Sequence, residues 1–207
     1  MLLNTIVSET GIGAMRCRMA IEHIAFGNYT IRDWREDDAV SITQYANNKK
    51  IWINLRDAFP HPYTLLDAEA FLRKAMGMEP RTYFAIASDD EAIGSIALLP
   101  GNDVHRFTAE LGYWLAEPFW GNGIMTDAVR ALSEYAFNEL GIQRIFAEPY
   151  TTNAASARVL EKSGFSLEGV IRAAVFKDGR MLDQYLYAKL NKNALQHDRL
   201  ASSAFTE

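Results

Sequence analysis

One strand–helix–strand unit, over residues 108–150, constrains the fold of this chain more than any other feature. Residues 108–116 alternate polar and apolar side chains, as a half-buried strand does. Apolar side chains then recur at helical spacing from Met125 to Leu140, and Gly141 ends that helix before a strand predicted at 144–150. Because the rest of the chain is rich in hairpins, we expect a mixed sheet with helices on both faces.

Local signals predict the remaining elements. Asp178-Gly179 is a strong hairpin signal. Thr64 and Asp67 resemble a capping box that starts a helix ending near Met78. The other predicted helices begin at Asp37 or Asp38 and at Ala154, and Gly164 closes the second of them. The other predicted strands cover residues 29–34, 82–88, 92–99, 166–177 and 181–190, which gives an α/β (α+β) fold class.

The element pattern predicts one domain. It covers residues 21–192, preceded by a loose N-terminal extension over 1–20 and followed by a polar C-terminal tail over 193–207. Within the domain, residues 51–63 contain two prolines and show little periodicity, so we expect a loop or a broken helix there.

Composition argues against several classes of function. No apolar run approaches the roughly 20 residues of a membrane helix, and Arg16 and Arg18 follow a weak apolar stretch, unlike a secretory signal. Cys17 is the single cysteine, which fits a reducing cytoplasm. The four histidines lack metal-ligand spacing, and the net charge of −5 comes without a basic stripe. We therefore predict a cytoplasmic protein with no metal, no membrane association and no nucleic-acid partner.

A glycine-rich turn leads into the central helix. It reads Trp120-Gly121-Asn122-Gly123-Ile124-Met125. Two glycines remove side chains that would block a ligand, and the helix start offers free N–H groups suited to a pyrophosphate. A tight turn that merely needs glycine is the alternative. A P-loop and a Rossmann fingerprint are excluded, because Ile124-Met125 follows the glycines and Thr126 stands where the third glycine is required.

Two sequence blocks together resemble a known family. The first covers residues 110–128 around the glycine turn, and the second is Asn153-Ala154-Ala155-Ser156-Ala157-Arg158-Val159-Leu160-Glu161-Lys162-Ser163-Gly164-Phe165. In sequence and spacing they resemble the GNAT acetyltransferases, and most of all the branch of ribosomal-protein N-terminal (Rim-type) acetyltransferases. The resemblance covers roughly residues 28–190.

The resemblance implies the GNAT fold, in which two neighbouring strands splay apart and acetyl-CoA enters the gap. By resemblance, strand 111–115 supplies backbone groups to the pantetheine arm, the amides of the glycine turn hold the pyrophosphate, and Asn153 binds the arm from the other side. The cofactor-binding residues implied are Leu111, Tyr113, Trp114, Leu115, Trp120, Gly121, Asn122, Gly123, Ile124, Met125, Thr126, Asn153, Ser156 and Arg158.

The chain departs from the family pattern at three positions. The broader superfamily often has Gln or Arg at the position of Trp120, and Gly or Ala at that of Met125. Some members carry a tyrosine general acid where this chain has Leu160, which cannot donate a proton. The last departure leaves the proton donor of the reaction without its usual candidate.

The resemblance also implies catalytic residues. An amine attacks a thioester only when neutral, so a base or a water relay must remove a proton. Glu110 lies close to where some members place a catalytic glutamate, with Glu148 as a second candidate. Ser156 matches a serine of some Rim-type enzymes, and we expect it to stabilise the leaving thiolate by a hydrogen bond. Direct transfer is favoured over a covalent acetyl-enzyme, because Cys17 lies in the loose extension.

Acceptor-binding residues are expected in the irregular segment 51–63. Arg56 and Asp57 border the acceptor in such folds, and we expect Tyr63 to face the site. The acceptor is a primary amine, either a protein N-terminus or a small molecule, and sequence does not separate these. The alternative function is a catalytically silent sensor that binds acetyl-CoA. A homodimer is also compatible with the family.

Overall fold

The computed structural model describes residues 23–192, so the predictions for Cys17, the extension over 1–20 and the tail over 193–207 lie outside it. An eight-stranded sheet forms the centre of the described part. Its strands are β1 (Ile24–Phe26), β2 (Tyr29–Arg32), β3 (Tyr83–Ala87), β4 (Ala92–Pro100), β5 (Thr108–Leu115), β6 (Arg144–Ala147), β7 (Ser166–Lys177) and β8 (Arg180–Leu190). The α-helices are α1 (Ala39–Ala46), α2 (Lys49–Trp52), α3 (Leu65–Gly77), α4 (Ile124–Asn138) and α5 (Ala154–Lys162).

The strands follow the order β1-β2-β3-β4-β5-β6-β8-β7 across the sheet. Among these neighbours β5 and β6 run parallel, and the other pairs run antiparallel. The parallel pair requires a crossover connection, which α4 supplies. This arrangement confirms the predicted mixed, mostly antiparallel sheet.

Helices cover both faces of the sheet, as predicted. On β3, Phe84 and Ile86 belong to a core that includes residues of α4 and α5, while Ala85 belongs to a second core that includes residues of α1 and α3. This alternation follows from the two-residue period of a strand. The first core is the larger, and its residues from α4 include Leu132, which is fully buried. The sheet therefore holds α4 and α5 on one side and α1 and α3 on the other.

The strands β5 and β6 separate at their carboxyl ends. Their ladder contains three pairs, the last between Glu110 and Phe146. Beyond Glu110, β5 continues to Leu115 and stays paired with β4 along its other edge. The gap that opens between the two strands agrees with the splayed geometry that the family resemblance implied.

Several element boundaries differ from the prediction. The three-residue strand β1 was not predicted, because it is too short to show a period. Strand β6 ends at Ala147 rather than at Tyr150, whose neighbour Pro149 has no N–H to donate. Asp38 lies at the start of α1 without capping it, since its carboxylate binds the Arg32 guanidinium at 2.7 and 2.8 Å. By contrast, the capping box of Thr64 and Asp67 at α3 is confirmed.

Candidate active site

A cleft of about 1200 Å³ opens between the splayed strands. Its walls include the carboxyl end of β5, the glycine turn, the start of α5 and the segment after α2. The sequence-predicted residues that line it are Arg56, Tyr63, Glu110, Leu111, Tyr113, Trp114, Leu115, Trp120, Gly121, Gly123, Ile124, Met125, Thr126, Asn153, Ser156 and Arg158. Asn122 and Asp57 are not among the lining residues. The fold thus brings both sequence blocks and residues of the irregular segment 51–63 to one cavity.

The glycine turn has the geometry that an anion site requires. Gly121 and Gly123 have φ values of 81° and 79°, a backbone region that side chains disfavour. A Cβ at either position would meet no atom within 4 Å, so the backbone is open on this side. Gly123 is the N-cap of α4, where no side chain caps the helix. The first amides of a 15-residue helix therefore remain available to a phosphate.

Side chains next to the glycines hold the turn in place. The indole N–H of Trp120 donates to the Leu115 carbonyl at 2.7 Å, and the Asn122 amide donates to the Phe119 carbonyl at 3.4 Å. The Asn122 side chain is thus directed to its own loop. We expected Asn122 to bind the cofactor; in the structure its side chain supports the loop, and a part for this residue in cofactor binding stays a prediction.

Ser156 lies in the cleft as part of a hydrogen-bonded pair. Its hydroxyl is 2.8 Å from the Tyr113 hydroxyl, which also donates to the Ser156 carbonyl at 3.3 Å. Asn153 caps α5 by accepting from the Ser156 amide at 3.1 Å. Burial raises the pKa of the Tyr113 phenol, so Tyr113 stays protonated at neutral pH. The family resemblance implied only backbone contacts from Tyr113, because its hydroxyl partner Ser156 is 43 residues away in sequence.

Glu110 lies where β5 and β6 separate. Its carboxylate forms an ion pair with Arg56. Burial raises the pKa of Glu110, the neighbouring Arg56 opposes that rise, and Glu148 adds to it. A carboxylate with a raised pKa is a stronger base than a free one, so the surroundings of Glu110 favour proton acceptance by it.

The predicted acceptor residues differ in whether they line the cleft. Tyr63 is 5% exposed and still lines the cleft, and burial raises its pKa to about 12. Phe59 packs between Tyr63 and Trp114, with ring centroids 4.9 and 6.0 Å away. Asp57 is directed elsewhere, because its carboxylate binds the Lys177 ammonium at 2.8 Å. The aromatic residues therefore both anchor this segment and line the cavity.

Residues 23–192 contain no group of three or more histidine, cysteine, aspartate or glutamate side chains able to hold a metal ion. No helix in this range has the length and apolar character that crossing a membrane demands.

Comparison with known proteins gives consistent matches. The model of a family described as the acetyltransferase (GNAT) domain matches residues 28–166. The "Probable N-acetyltransferase YjcK" of Bacillus subtilis is 44% identical over 51% of this chain and 58% of its own length. The ribosomal-protein-serine acetyltransferase of Escherichia coli is 34% identical over 52% of this chain and 59% of its own. The chain thus spans under two thirds of these two relatives.

A solved structure supports the fold over a longer range. The spermidine N-acetyltransferase of Vibrio cholerae, in complex with CoA and spermine, superposes with a TM-score of 0.68. The match covers 81% of this chain and 98% of the other, at 23% sequence identity. At that identity the likeness establishes the shared fold.

Proposed function

Because the chain belongs to the GNAT family of N-acetyltransferases, we propose that it transfers acetyl from acetyl-CoA to a primary amine by direct attack within the cleft. One observation carries this proposal. The cleft joins an anion-binding helix start, a carboxylate with a raised pKa, and a pair of hydroxyl groups. Acetyl transfer to an amine needs these three functions: a phosphate anchor, a base and a donor to the leaving thiolate.

The glycine turn would hold the pyrophosphate of acetyl-CoA. Gly121 and Gly123 leave their backbone uncovered, and the α4 amides face an uncapped helix start. Beyond Glu110, β5 is not paired with β6. The backbone groups along this edge of β5 would bind the pantetheine arm. When bound, acetyl-CoA supplies an activated thioester at the point where the strands separate.

Glu110 would accept the proton of the incoming ammonium. Its half-buried position raises its pKa above that of a free glutamate, and the ion pair with Arg56 favours the ionised form that accepts a proton. The Tyr113 hydroxyl would donate to Ser156 Oγ, which leaves the Ser156 hydroxyl proton for a hydrogen bond to the departing thiolate. This pair fills the role for which Leu160 is unsuited.

A protein N-terminus is the acceptor that the cavity supports best. The lining of its acceptor side is largely aromatic, with Phe59, Phe71, Tyr83 and Trp114 among its members. Aromatic walls suit an acceptor whose amine is followed by an apolar group. The second ammonium of a polyamine would lose its hydration against such walls. A polyamine is the second candidate, because Glu110 and Glu148 place two carboxylates in the lining. A homodimer stays a prediction from the family.

An acceptor panel tests this proposal. Purified protein is incubated with acetyl-CoA and either peptides with free seryl or alanyl N-termini or spermidine, and products are identified by mass spectrometry. Glu110→Gln should lower turnover by about 10²–10⁴-fold near neutral pH, because a positioned base contributes that much. Glu134→Gln, an exposed glutamate of α4 outside the cleft lining, is the matched control.

The outcomes separate the alternatives. Near-normal turnover of Glu110→Gln would remove Glu110 as the base. Acetyl-CoA binding without transfer to any amine would favour the catalytically silent sensor. Acetylation of spermidine alone would assign the polyamine class.

A further inference from the structure

Lys177, the last residue of β7, is buried at a place that the transfer chemistry does not use. Its side chain is 1% exposed. The ammonium lies 2.8 Å from Asp57 Oδ1 and 3.9 Å from the centroid of the Trp52 ring. A buried ammonium is costly unless it is paired, and a carboxylate together with an aromatic face provides such partners. These two contacts explain how the lysine is tolerated.

Both partners of Lys177 lie in or directly before the segment that borders the acceptor side of the cleft. Trp52 ends α2, and Asp57 lies in the acceptor segment, defined as residues 53–63. The Asp57 side chain is itself 74% exposed, so it lies above the buried ammonium with its outer side in water. If the acceptor segment lifted away, Lys177 would lose its carboxylate. The burial of Lys177 and the position of the segment are therefore coupled.

The acceptor segment forms a second ion pair on its other side. Arg56, next to Asp57, pairs with Glu110 of β5. Two adjacent residues thus connect the segment to β7 and to β5, and the partner on β7 is 120 residues away in sequence. Holding Asp57 in place also holds the backbone from which Arg56 reaches Glu110.

We propose that Lys177 is a positioning residue of the transfer reaction, because it fixes the acceptor segment over the cleft and keeps Arg56 on Glu110. Its consequence for catalysis rests on the proposed function, whereas its contact with the segment does not depend on any acceptor. The charged groups that face Glu110 are Arg56 from the segment and Glu148 from the chain after β6. Without the Lys177 contact, Arg56 would move away with the segment. Glu148 would then remain as the charged group that faces Glu110.

Limited trypsin digestion tests the contact without any acceptor. Lys177→Met keeps the aliphatic stem and removes the cation. Cleavage after Arg56 should become about ten- to a hundredfold faster, since the loss of a charge-assisted hydrogen bond raises the population of the opened segment. Cleavage after Arg106, in an exposed turn, serves as the internal reference. Arg180→Met is the matched control, because it removes an exposed cation from the same hairpin.

Titration of the Glu110 carboxyl by carbon-detected NMR tests the consequence for the base. In Lys177→Met its pKa should rise, because Arg56 no longer opposes the effects of burial and Glu148. Arg180→Met should leave the Glu110 titration at the wild-type value. A merely structural role for Lys177 would not move this titration.

A second variant keeps the test decisive if Lys177→Met fails to fold. Asp57→Asn retains the lysine and removes its carboxylate, so it should also accelerate cleavage after Arg56. Unchanged cleavage in both variants would overturn the proposal. Faster cleavage with an unchanged Glu110 titration would overturn the positioning role. Neither measurement uses acetyl transfer, so failure of the proposed function is seen separately in the acceptor panel.

Discussion

Replacing Gly123 with valine should abolish acetyl-CoA binding while the protein stays folded. Gly123 has φ 79° and ψ −8°, in the left-handed region, where a side chain costs about 1–3 kcal/mol. Its Cβ would meet no protein atom within 4 Å, so the cost to the free protein is this backbone strain alone. For a domain of this size, each kcal/mol lowers Tm by about 2–4 °C. We therefore expect a moderate loss of stability.

The effect on ligand binding should be much larger than the loss of stability. A ligand that binds only the folded state stabilises it by about 2.7 kcal/mol at a hundredfold excess over Kd. The valine methyl groups would occupy the uncovered side of the turn, where the pyrophosphate is proposed to bind. In a thermal-shift assay, wild type should show a rise in Tm with acetyl-CoA, and Gly123→Val should show none.

Gly27→Val is the matched control for this experiment. Gly27, in the turn between β1 and β2, has φ 54° and no atom within 4 Å of an added Cβ. It should lose stability for the same backbone reason and keep the full acetyl-CoA shift. The reasoning is refuted if Gly123→Val retains the wild-type shift. The reasoning is equally refuted if Gly27→Val loses the acetyl-CoA shift in Tm. The shift would then depend on the stability of the protein and not on whether the glycine turn is free to bind the ligand.

Two further variants test the leaving-group pair and the α3 cap. Tyr113→Phe should lower turnover by about two- to tenfold at unchanged acetyl-CoA affinity, since a hydrogen bond is worth that much; wild-type turnover would exclude Tyr113. Hydrogen bonds from Thr64 lower the pKa of Asp67. The ionised carboxylate therefore stabilises the fold at pH values above its pKa in the unfolded chain. This stabilisation is lost as the pH falls through the lower pKa of the folded state. Between pH 6 and pH 3, the free energy of unfolding measured in urea should therefore fall less for Asp67→Asn than for wild type. An equal fall in both proteins would contradict a stabilising role of the cap.

The α3 cap and the strong hairpin signals could be predicted because each depends on residues near in sequence. Thr64 and Asp67 are three residues apart, and Asp178-Gly179 joins β7 to β8 with both residues at positive φ. At α1 the predicted cap position is right, since Asp38 is the N-cap residue, but its side chain makes no capping hydrogen bond. Its carboxylate instead accepts hydrogen bonds from the Arg32 guanidinium and the Arg35 amide, which precede the helix.

The roles of the acceptor residues were harder to predict. Asp57 was expected to border the acceptor, and its carboxylate binds the ammonium of Lys177, which is 120 residues away in sequence. Tyr113 likewise acquires its hydroxyl contact from Ser156 on a helix that follows a different strand.

The sequence by itself determined the order of elements, the glycine turn before α4 and the family, because periodicity, glycine torsions and motif spacing are local properties of the chain. Only the tertiary structure decided where the strands separate and which charges meet. The ion pairs of Arg56 with Glu110 and of Asp57 with Lys177 join residues 54 and 120 positions apart. A buried or half-buried charge such as Lys177 or Glu110 is costly unless it has a partner, and no spacing along the chain encodes which partner the fold brings close.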